Sequence, residues 1–282
     1  MRIFSTIFLA VFLSLGISLV AYANPKKSGV TPEQEHIEML YPTVLVRLAQ
    51  GSGSGTVIYS ELNEEQEYES YVLTNYHVIQ SSVKITKVWS SEKNEHVETE
   101  NRRPVNIDLW EYNNFSTAIG TMGRIADIVA YDKSRDLALL RVKDRERQMS
   151  YVATLYPEGL DEGPWIFQTV YAVGAGLGKP PFPTMGLLAG YSRDQDGNEL
   201  YLSSSPIIFG NSGGSLYVFS PRRTYELIGV PSMVSAYGWG NVVSHMAWSR
   251  PIAEIRIFLR ENKYGFILGD EPEPEEEDED AS

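Results

Sequence analysis

Cysteine is absent from this chain of 282 residues. Its absence excludes disulfide frameworks, thiolate metal sites, iron–sulfur clusters and cysteine nucleophiles. Histidine is scarce as well, and the four histidines lie far apart in the sequence, at His36, His77, His96 and His245. A multi-histidine metal centre is therefore not expected. The sequence predicts that the protein requires neither a metal ion nor another cofactor.

Positive charge is also in short supply. The chain has 24 Lys and Arg against 37 Asp and Glu, a net charge of −13. Nucleic-acid binding needs concentrated Lys and Arg, so nucleic acid is not expected to be a partner. No glycine-lysine phosphate loop is present either. With 43% hydrophobic and 11% aromatic residues, the chain has enough apolar surface for one large or two small folded domains.

Long apolar runs are missing except at the N-terminus. Arg2 is followed by the apolar run 3–20 and then by Ala21-Tyr22-Ala23. A basic start, an apolar stretch and a small-residue triplet are typical of a secretory signal peptide, here residues 1–23. The alternative is an uncleaved membrane anchor, since eighteen residues can just span a bilayer. The sequence predicts an exported protein, periplasmic or secreted, that contacts the membrane only if this segment is retained.

Both ends of the remaining chain differ from its middle. Residues 24–40 form an N-terminal segment with a short predicted helix, because Thr31 is a good N-cap and Pro32 follows it at the first helical position. Residues 266–282 are expected to be a disordered acidic tail, since nine of the thirteen residues from Asp270 to Ser282 are Asp or Glu. The main domain therefore occupies residues 41–265.

That domain is predicted to be all-β. Short apolar runs rich in Val, Ile, Tyr and Thr recur between turn residues, which favours a sandwich or a barrel. The predicted strands are 43–48, 55–59, 71–74, 83–88, 137–142, 165–173, 216–219 and 227–230. A helix is expected after Pro251, because Ile252, Ile255, Phe258 and Leu259 share one helical face. Residues 90–123 are weakly patterned and are interpreted as a long hairpin or a surface insertion.

Three short segments carry the candidate chemistry. His77 follows a strand in Leu-Thr-Asn-Tyr-His-Val, Asp136 precedes a strand in Arg-Asp-Leu-Ala-Leu-Leu, and Ser212 lies in Gly-Asn-Ser-Gly-Gly. Taken singly, such a His is more often structural and such an Asp more often closes a turn. Serine, however, needs a base to take its proton, and the base needs a third group to fix its tautomer. Together the three residues supply all three roles.

In this order the segments resemble the trypsin-like serine peptidases, and most of all the bacterial HtrA (DegP-like) branch. The matching blocks are G-S-G-S-G-T-V-I (51–58), V-L-T-N-Y-H-V-I (72–79), D-L-A-L-L-R-V (136–142) and G-N-S-G-G-S-L (210–216). The resemblance implies two six-stranded antiparallel β-barrels with a C-terminal helix. It assigns a catalytic triad to His77, Asp136 and Ser212, and an oxyanion hole to the N–H groups of Gly210 and Ser212. The implied function is an exported serine endopeptidase that hydrolyses polypeptide substrates through an acyl-enzyme.

The sequence departs from the family in two respects. HtrA proteins usually continue into PDZ modules, whereas this chain ends in the acidic tail. Trypsin-type enzymes carry an Asp immediately before the nucleophile, whereas this chain has Asn211. That Asp pairs with a freed N-terminal ammonium in zymogen activation, so an uncharged residue here predicts that no such activation step exists.

Two alternatives remain to be weighed. Residues 210–214 also fit the G-x-S-x-G elbow of α/β-hydrolases. Those proteins place the acid and the histidine after the serine and need alternating strands and helices, which this sequence lacks. The other alternative is a catalytically inactive secreted binding module on the same scaffold, because a fold does not imply a function. Reaction of Ser212 with a fluorophosphonate would separate that module from an enzyme.

The resemblance also locates a specificity pocket. It places Pro206 at the pocket floor, Ser232, Met233 and Val234 on a wall that pairs with the substrate backbone, and residues 244–247 on the opposite side. None of these residues is acidic, so a Lys or Arg side chain would be desolvated without a counter-charge. The predicted preference is cleavage after small apolar residues. His245 would favour an acidic side chain if its ring pointed inward, and strand alternation leaves its direction open.

Overall fold

The computed structural model describes residues 29–49, 51–91, 94–159 and 164–271. The predicted signal peptide and residues 272–282 of the predicted tail lie outside these residues, whereas the first residues of that tail belong to a 3₁₀ turn over Gly265–Leu268. The helices are α1 Pro32–Glu35, which continues as a π-helical turn over His36–Leu40, α2 Tyr76–Ile79 and α3 Ile252–Glu261. The strands are β1 Thr43–Leu48, β2 Gly51–Leu62, β3 Tyr68–Thr74, β4 Val83–Ser90, β5 Glu95–Arg102, β6 Val105–Asn113, β7 Thr117–Asp132, β8 Leu137–Val142, β9 Thr154–Leu155, β10 Thr169–Gly174, β11 Phe182–Arg193, β12 Glu199–Ser203, β13 Ser215–Phe219, β14 Tyr225–Tyr237 and β15 Asn241–Pro251.

The strands form two β-barrels. The first barrel is closed in the order β1-β2-β3-β8-β7-β6, and every pairing in it is antiparallel. In the second, the order is β13-β10-β11-β12-β15-β14, and the pairing of β13 with β14 completes the ring. The short strand β9 adds to β14 in parallel. The all-β prediction and the pair of six-stranded barrels are confirmed.

Alternating apolar residues fill the interior of the first barrel. Val44 and Val46 of β1 and Val72 of β3 are almost completely buried there, as period-two patterning requires. β8 is buried on both faces, from Leu137 to Leu140. Each such buried aliphatic side chain stabilises the fold by roughly 1.5–3 kcal/mol. The strand ends that carry His77 and Asp136 therefore start from a rigid core.

The prediction for residues 90–123 is wrong in part. Only β4 and β5 form a separate two-stranded hairpin, whereas β6 and the first part of β7 are strands of the barrel wall. β6 was missed because its pattern is irregular: Val105 and Ile107 are buried as expected, but the charged Asp108 is buried as well. The hairpin lies between α2 and β6 and accounts for the long separation of His77 from Asp136.

Two further elements have boundaries that the sequence predicts. The predicted strand over residues 165–173 begins only at Thr169, because Trp165 closes a turn onto Gln168 instead of joining the sheet. The C-terminal helix begins after Pro251 as predicted, and Ile255, Phe258 and Leu259 are fully buried. Within the part of the chain that the structure describes, no helix is long and apolar enough to cross a membrane.

Candidate active site

His77 lies on a one-turn helix at the end of a barrel strand. β3 ends at Thr74, and Asn75 turns the chain into α2. Ile79, two residues after His77, is fully buried in the core of the first barrel and fixes the helix. The His77 side chain remains 40% exposed, so its ring stays open to the cleft between the barrels.

Asp136 holds the His77 ring from the neighbouring turn. The His77 backbone N–H donates to Asp136 Oδ1 at 2.9 Å, and ring Nδ1 lies 2.8 Å from Oδ2. Because a carboxylate only accepts hydrogen bonds, Nδ1 carries the proton and Nε2 is left as the acceptor. Asp136 has a positive φ of 53°, an uncommon conformation that Asp tolerates better than most residues. The Asn75 amide donates to its carbonyl at 2.8 Å and holds that conformation.

Ser232 makes a third contact with the same carboxylate. Its hydroxyl donates to Asp136 Oδ2 at 2.5 Å, and the residue is 6% exposed. The sequence placed Ser232 on the substrate-binding wall without predicting this bond. A strand of the second barrel therefore reaches across the cleft and orients the acid of the first.

An ion-pair network anchors the turn that carries Asp136. Arg135 contacts Asp132 in the same turn, and also Glu254 and Glu261 of helix α3. Burial raises the pKa of Asp132, but hydrogen bonds from Arg135 and Ser134 outweigh it, so that this pKa lies below its ordinary value. The C-terminal helix thus helps to position the acid, although its sequence is distant from the site.

Ser212 lies in a loop whose conformation requires glycine at two positions. Gly210 has a φ of 96° in a turn closed by the bond from Asn211 N–H to Ile208 C=O. Gly213 has a φ of 84°, and a Cβ atom there would lie 2.2 Å from the Ser54 carbonyl oxygen. Any side chain at Gly213 would therefore push the nucleophile loop away from the first barrel.

Two backbone donors beside Ser212 are free. In the described residues, the N–H groups of Gly210 and Ser212 donate to no acceptor within the chain. Neighbouring carbonyls are turned away: Phe209 C=O accepts from Leu177 N–H at 2.8 Å, and Gly210 C=O accepts from the Ser54 hydroxyl at 2.6 Å. Paired, unsatisfied N–H groups of this kind can stabilise an oxyanion.

Ser54 is the residue that most tightly joins β2 to this loop. Besides its bond to Gly210, its N–H donates to Ser212 C=O at 2.7 Å, and its hydroxyl accepts from Ala175 N–H at 2.7 Å. In the sequence, Ser54 lies inside the glycine-rich block 51–58, and no role was predicted for it. The only sequence signal for it is a serine flanked by glycines.

The Ser212 hydroxyl makes its hydrogen bond to Ser232 C=O, at 3.5 Å. Among the described contacts it has no hydrogen bond to His77. Both side chains line one cavity of about 380 Å³, together with Leu48, Gly51, Ser52, Val78, Gln80, Ser81, Phe209 and Gly210. In substrate-free enzymes the bond between nucleophile and base is often long and tightens when substrate is bound.

The residues of the predicted specificity pocket occupy different environments. Pro206 is exposed and its carbonyl accepts from the Thr184 hydroxyl at 2.7 Å. Met233 is 42% exposed, and Val234 is partly buried beside it on β14. Pro206, Met233 and Val234 do not line the 380 Å³ cavity, most of whose lining residues belong to the first barrel.

Asn211 stabilises the nucleophile loop without a charge. It is 1% exposed, and its side-chain oxygen accepts from Ile208 N–H at 3.1 Å. Since its backbone N–H donates to Ile208 C=O as well, the loop is closed by its own residues.

Known structures share this architecture. The HtrA-type protease AlgW, solved with a tripeptide, has a TM-score of 0.57 at 17% identity, over 84% of this chain and 64% of that one. A serine endoprotease from Yersinia pestis has a TM-score of 0.53 at 19% identity, over 86% and 68%. Deg5 has a TM-score of 0.52 at 19% identity, over 80% and 93%. At this identity the likeness shows the fold, and the chain spans less than two thirds of AlgW.

No curated protein matches the sequence significantly. A family model described as a trypsin-like peptidase domain, however, matches residues 53–229. The matched region runs from the strand of Ser54 to β14 and includes His77, Asp136 and Ser212. It covers well over half of the chain, and the two barrels agree with it. The chain therefore belongs to the trypsin-like peptidase family.

Proposed function

We propose that this protein is a serine endopeptidase that cleaves polypeptides through a Ser212–His77–Asp136 triad. The proposal rests on one observation: an oriented imidazole, a serine hydroxyl and two free N–H groups border the same cleft. Each element alone has a structural explanation, but acyl transfer is the chemistry that needs all of them together.

In the proposed reaction, Ser212 Oγ attacks the scissile carbonyl while His77 Nε2 accepts its proton. The tetrahedral oxyanion is bound by the N–H groups of Gly210 and Ser212. His77 then donates the proton to the leaving amine, which gives the acyl-enzyme, and water hydrolyses it by the reverse sequence. Asp136 stays ionised, fixes the His77 tautomer and stabilises the imidazolium.

Peptide hydrolysis by the Ser212→Ala variant tests this proposal. The variant should fold normally, because only one partly exposed hydroxyl is removed, and it should lose hydrolysis of a library of short fluorogenic peptides. Ser150→Ala, at an exposed serine that does not line the cavity of Ser212 and His77, is the matched control and should keep its activity. Full hydrolysis by Ser212→Ala would contradict the assignment.

The inactive binding module is the second candidate. One observation favours it, namely that the Ser212 hydroxyl bonds to Ser232 C=O instead of His77. An enzyme would require the Ser212 hydroxyl to turn toward the His77 ring when substrate is bound. A wild-type protein that binds peptides without cleaving any of them would favour the module.

We also propose that the protein is exported. The support is the basic start, the apolar run 3–20 and the triplet ending at Ala23. The substrates would then be polypeptides of the periplasm or the exterior, cleaved after small apolar residues at the site formed by Pro206, Ser232, Met233 and Val234. A cleavage profile dominated by Arg or Lys before the cut would contradict this preference.

A further inference from the structure

The strand beside Ser212 has one free edge. One edge of β14 pairs with β15 along its whole outer part, from Gly229 to Tyr237. The opposite edge pairs with β13 only as far as Gly229. Next to it, Pro231 C=O accepts from Gly213 N–H at 3.0 Å. From Ser232 onward no strand in the described parts of the chain covers this edge.

That free edge leads away from the nucleophile. It begins at Ser232, whose carbonyl lies 3.5 Å from Ser212 Oγ, and ends at Tyr237. Five residues of extended chain span about 17 Å. A polypeptide held at Ser212 can therefore add to β14 as another antiparallel strand well beyond the residues next to the cleaved bond.

The far end of the edge presents unpartnered aromatic rings. β14 and β15 are joined by a glycine turn, with Gly238 at φ 60° and Gly240 at φ 94°. Tyr237 is 77% exposed, and Trp239 at the tip is completely exposed. Among the described residues neither ring has a hydrogen bond or a ring contact, whereas Trp248 on the same hairpin donates its indole N–H to Ser235. Exposing a whole Trp costs the protein apolar burial, so the ring suits an external ligand.

We propose that the hairpin tip around Trp239 is a substrate-binding site for an apolar side chain about five to seven residues upstream of the cleaved bond. The inference rests on the proposed function, which places the upstream part of the substrate along β14. The free edge supplies backbone hydrogen bonds that do not depend on sequence, and the Trp239 ring adds a preference for apolar residues. Because the edge is continuous with Ser212, a bound polypeptide is favoured over a lipid surface. An anionic lipid surface would also be repelled by the chain's net charge of −13.

Two extended peptides test the site. Both carry the same four residues up to a cleaved Val, and they differ upstream, where one has Leu at positions five to seven and the other has Ser. We expect kcat/KM of the wild type to be about tenfold higher for the Leu peptide, mainly through a lower KM, which corresponds to about 1.4 kcal/mol. In Trp239→Ala this ratio should fall to about one.

Trp89→Ala is the matched control. Trp89 is 52% exposed on the separate β4–β5 hairpin, so its removal should leave the ratio of the two peptides unchanged. Equal kcat/KM for the two peptides in the wild type, or an unchanged ratio in Trp239→Ala, would overturn the proposal. Vesicle binding lost in Trp239→Ala together with an unchanged peptide ratio would assign the tip to membranes instead.

A binding measurement keeps this test independent of catalysis. Fluorescence anisotropy of the two labelled peptides with Ser212→Ala should show tighter binding of the Leu peptide, and the added substitution Trp239→Ala should remove the difference. Equal binding of both peptides would refute the Trp239 site. If the wild type cleaves no short peptide, the proposed function fails, and the binding result still decides the role of Trp239.

Discussion

The Asp136 carboxylate accepts three hydrogen bonds from two residues that are distant from it in the sequence. Two come from His77, through its backbone N–H and its ring, and one comes from the Ser232 hydroxyl. Asp136 is only 17% exposed, so water competes weakly for these bonds. In the proposed mechanism, this carboxylate holds the imidazole with Nε2 as the acceptor.

Replacing Asp136 by Asn should therefore be severe. An amide can donate to Nδ1 and stabilise the wrong tautomer, and in a Ser-His-Asp triad this change costs on the order of 10⁴ in kcat. The matched control is Asp127→Asn, which removes an exposed ion pair with Lys143 and should leave kcat unchanged. Peptide hydrolysis at saturating substrate measures both. A loss of less than about tenfold for Asp136→Asn would argue against the triad.

The pH dependence of activity follows from the proposed role of His77. A protonated imidazole cannot accept the Ser212 proton, so kcat/KM should rise with pH as the imidazole loses its proton and then level off. His96, which is exposed on the β4–β5 hairpin, provides the control, and His96→Gln should keep the same profile. A flat profile in the wild type would exclude His77 as the base.

Strand β2 and the loop that carries Ser212 are held together by hydrogen bonds. Ser54 joins them with two hydrogen bonds, to Gly210 C=O and Ser212 C=O, and its hydroxyl also accepts from Ala175 N–H. Its bond to Gly210 C=O fixes the peptide group between Gly210 and Asn211, which lies in the chain between the two free N–H groups. In the proposed mechanism, both barrels therefore contribute to the oxyanion site, although both donors belong to the second.

Ser54→Ala tests this coupling. Because one oxyanion donor is worth about 10²–10³ in kcat, loosening the loop should cost about tenfold or more in kcat with little change in KM. Ser60→Ala is the matched control, since Ser60 is buried in the same strand and bonds to Ser70 and Met149 N–H, remote from the loop. Equal losses of kcat in the two variants would mean that Ser54 only stabilises the fold.

Some contacts between elements could be predicted from the sequence and others could not. The candidate triad was predicted because three local motifs occur in an interpretable order, and the two barrels, which the structure confirms, were predicted from the resemblance. Ser232 and Ser54 were not assigned their contacts, since each acts across the interface between barrels and leaves no local pattern. β6 was missed because the buried Asp108, paired with Arg47, interrupts its alternation. Polar contacts between residues far apart in the chain could therefore not be predicted from the sequence alone.

The whole molecule should need no activation beyond removal of the signal peptide. Asn211 closes the nucleophile loop through Ile208 and carries no charge for a new N-terminal ammonium. The exported protein should begin at Asn24, as measured by intact mass, and protein refolded from Asn24 should be active without trimming. Activity that appears only after cleavage at an internal site would contradict this, and a retained residue 1 would mean that the segment is an anchor.

We expect the folded protein to activate Ser212 through His77. Mass spectrometry after treatment with a fluorophosphonate measures this most directly, because the reagent modifies a serine only where a base and an oxyanion site increase its reactivity. We expect one adduct per chain, located on the peptide that contains Ser212, and little or no adduct in His77→Ala. An unmodified Ser212 in the wild type, or equal labelling of His77→Ala, would contradict the claim.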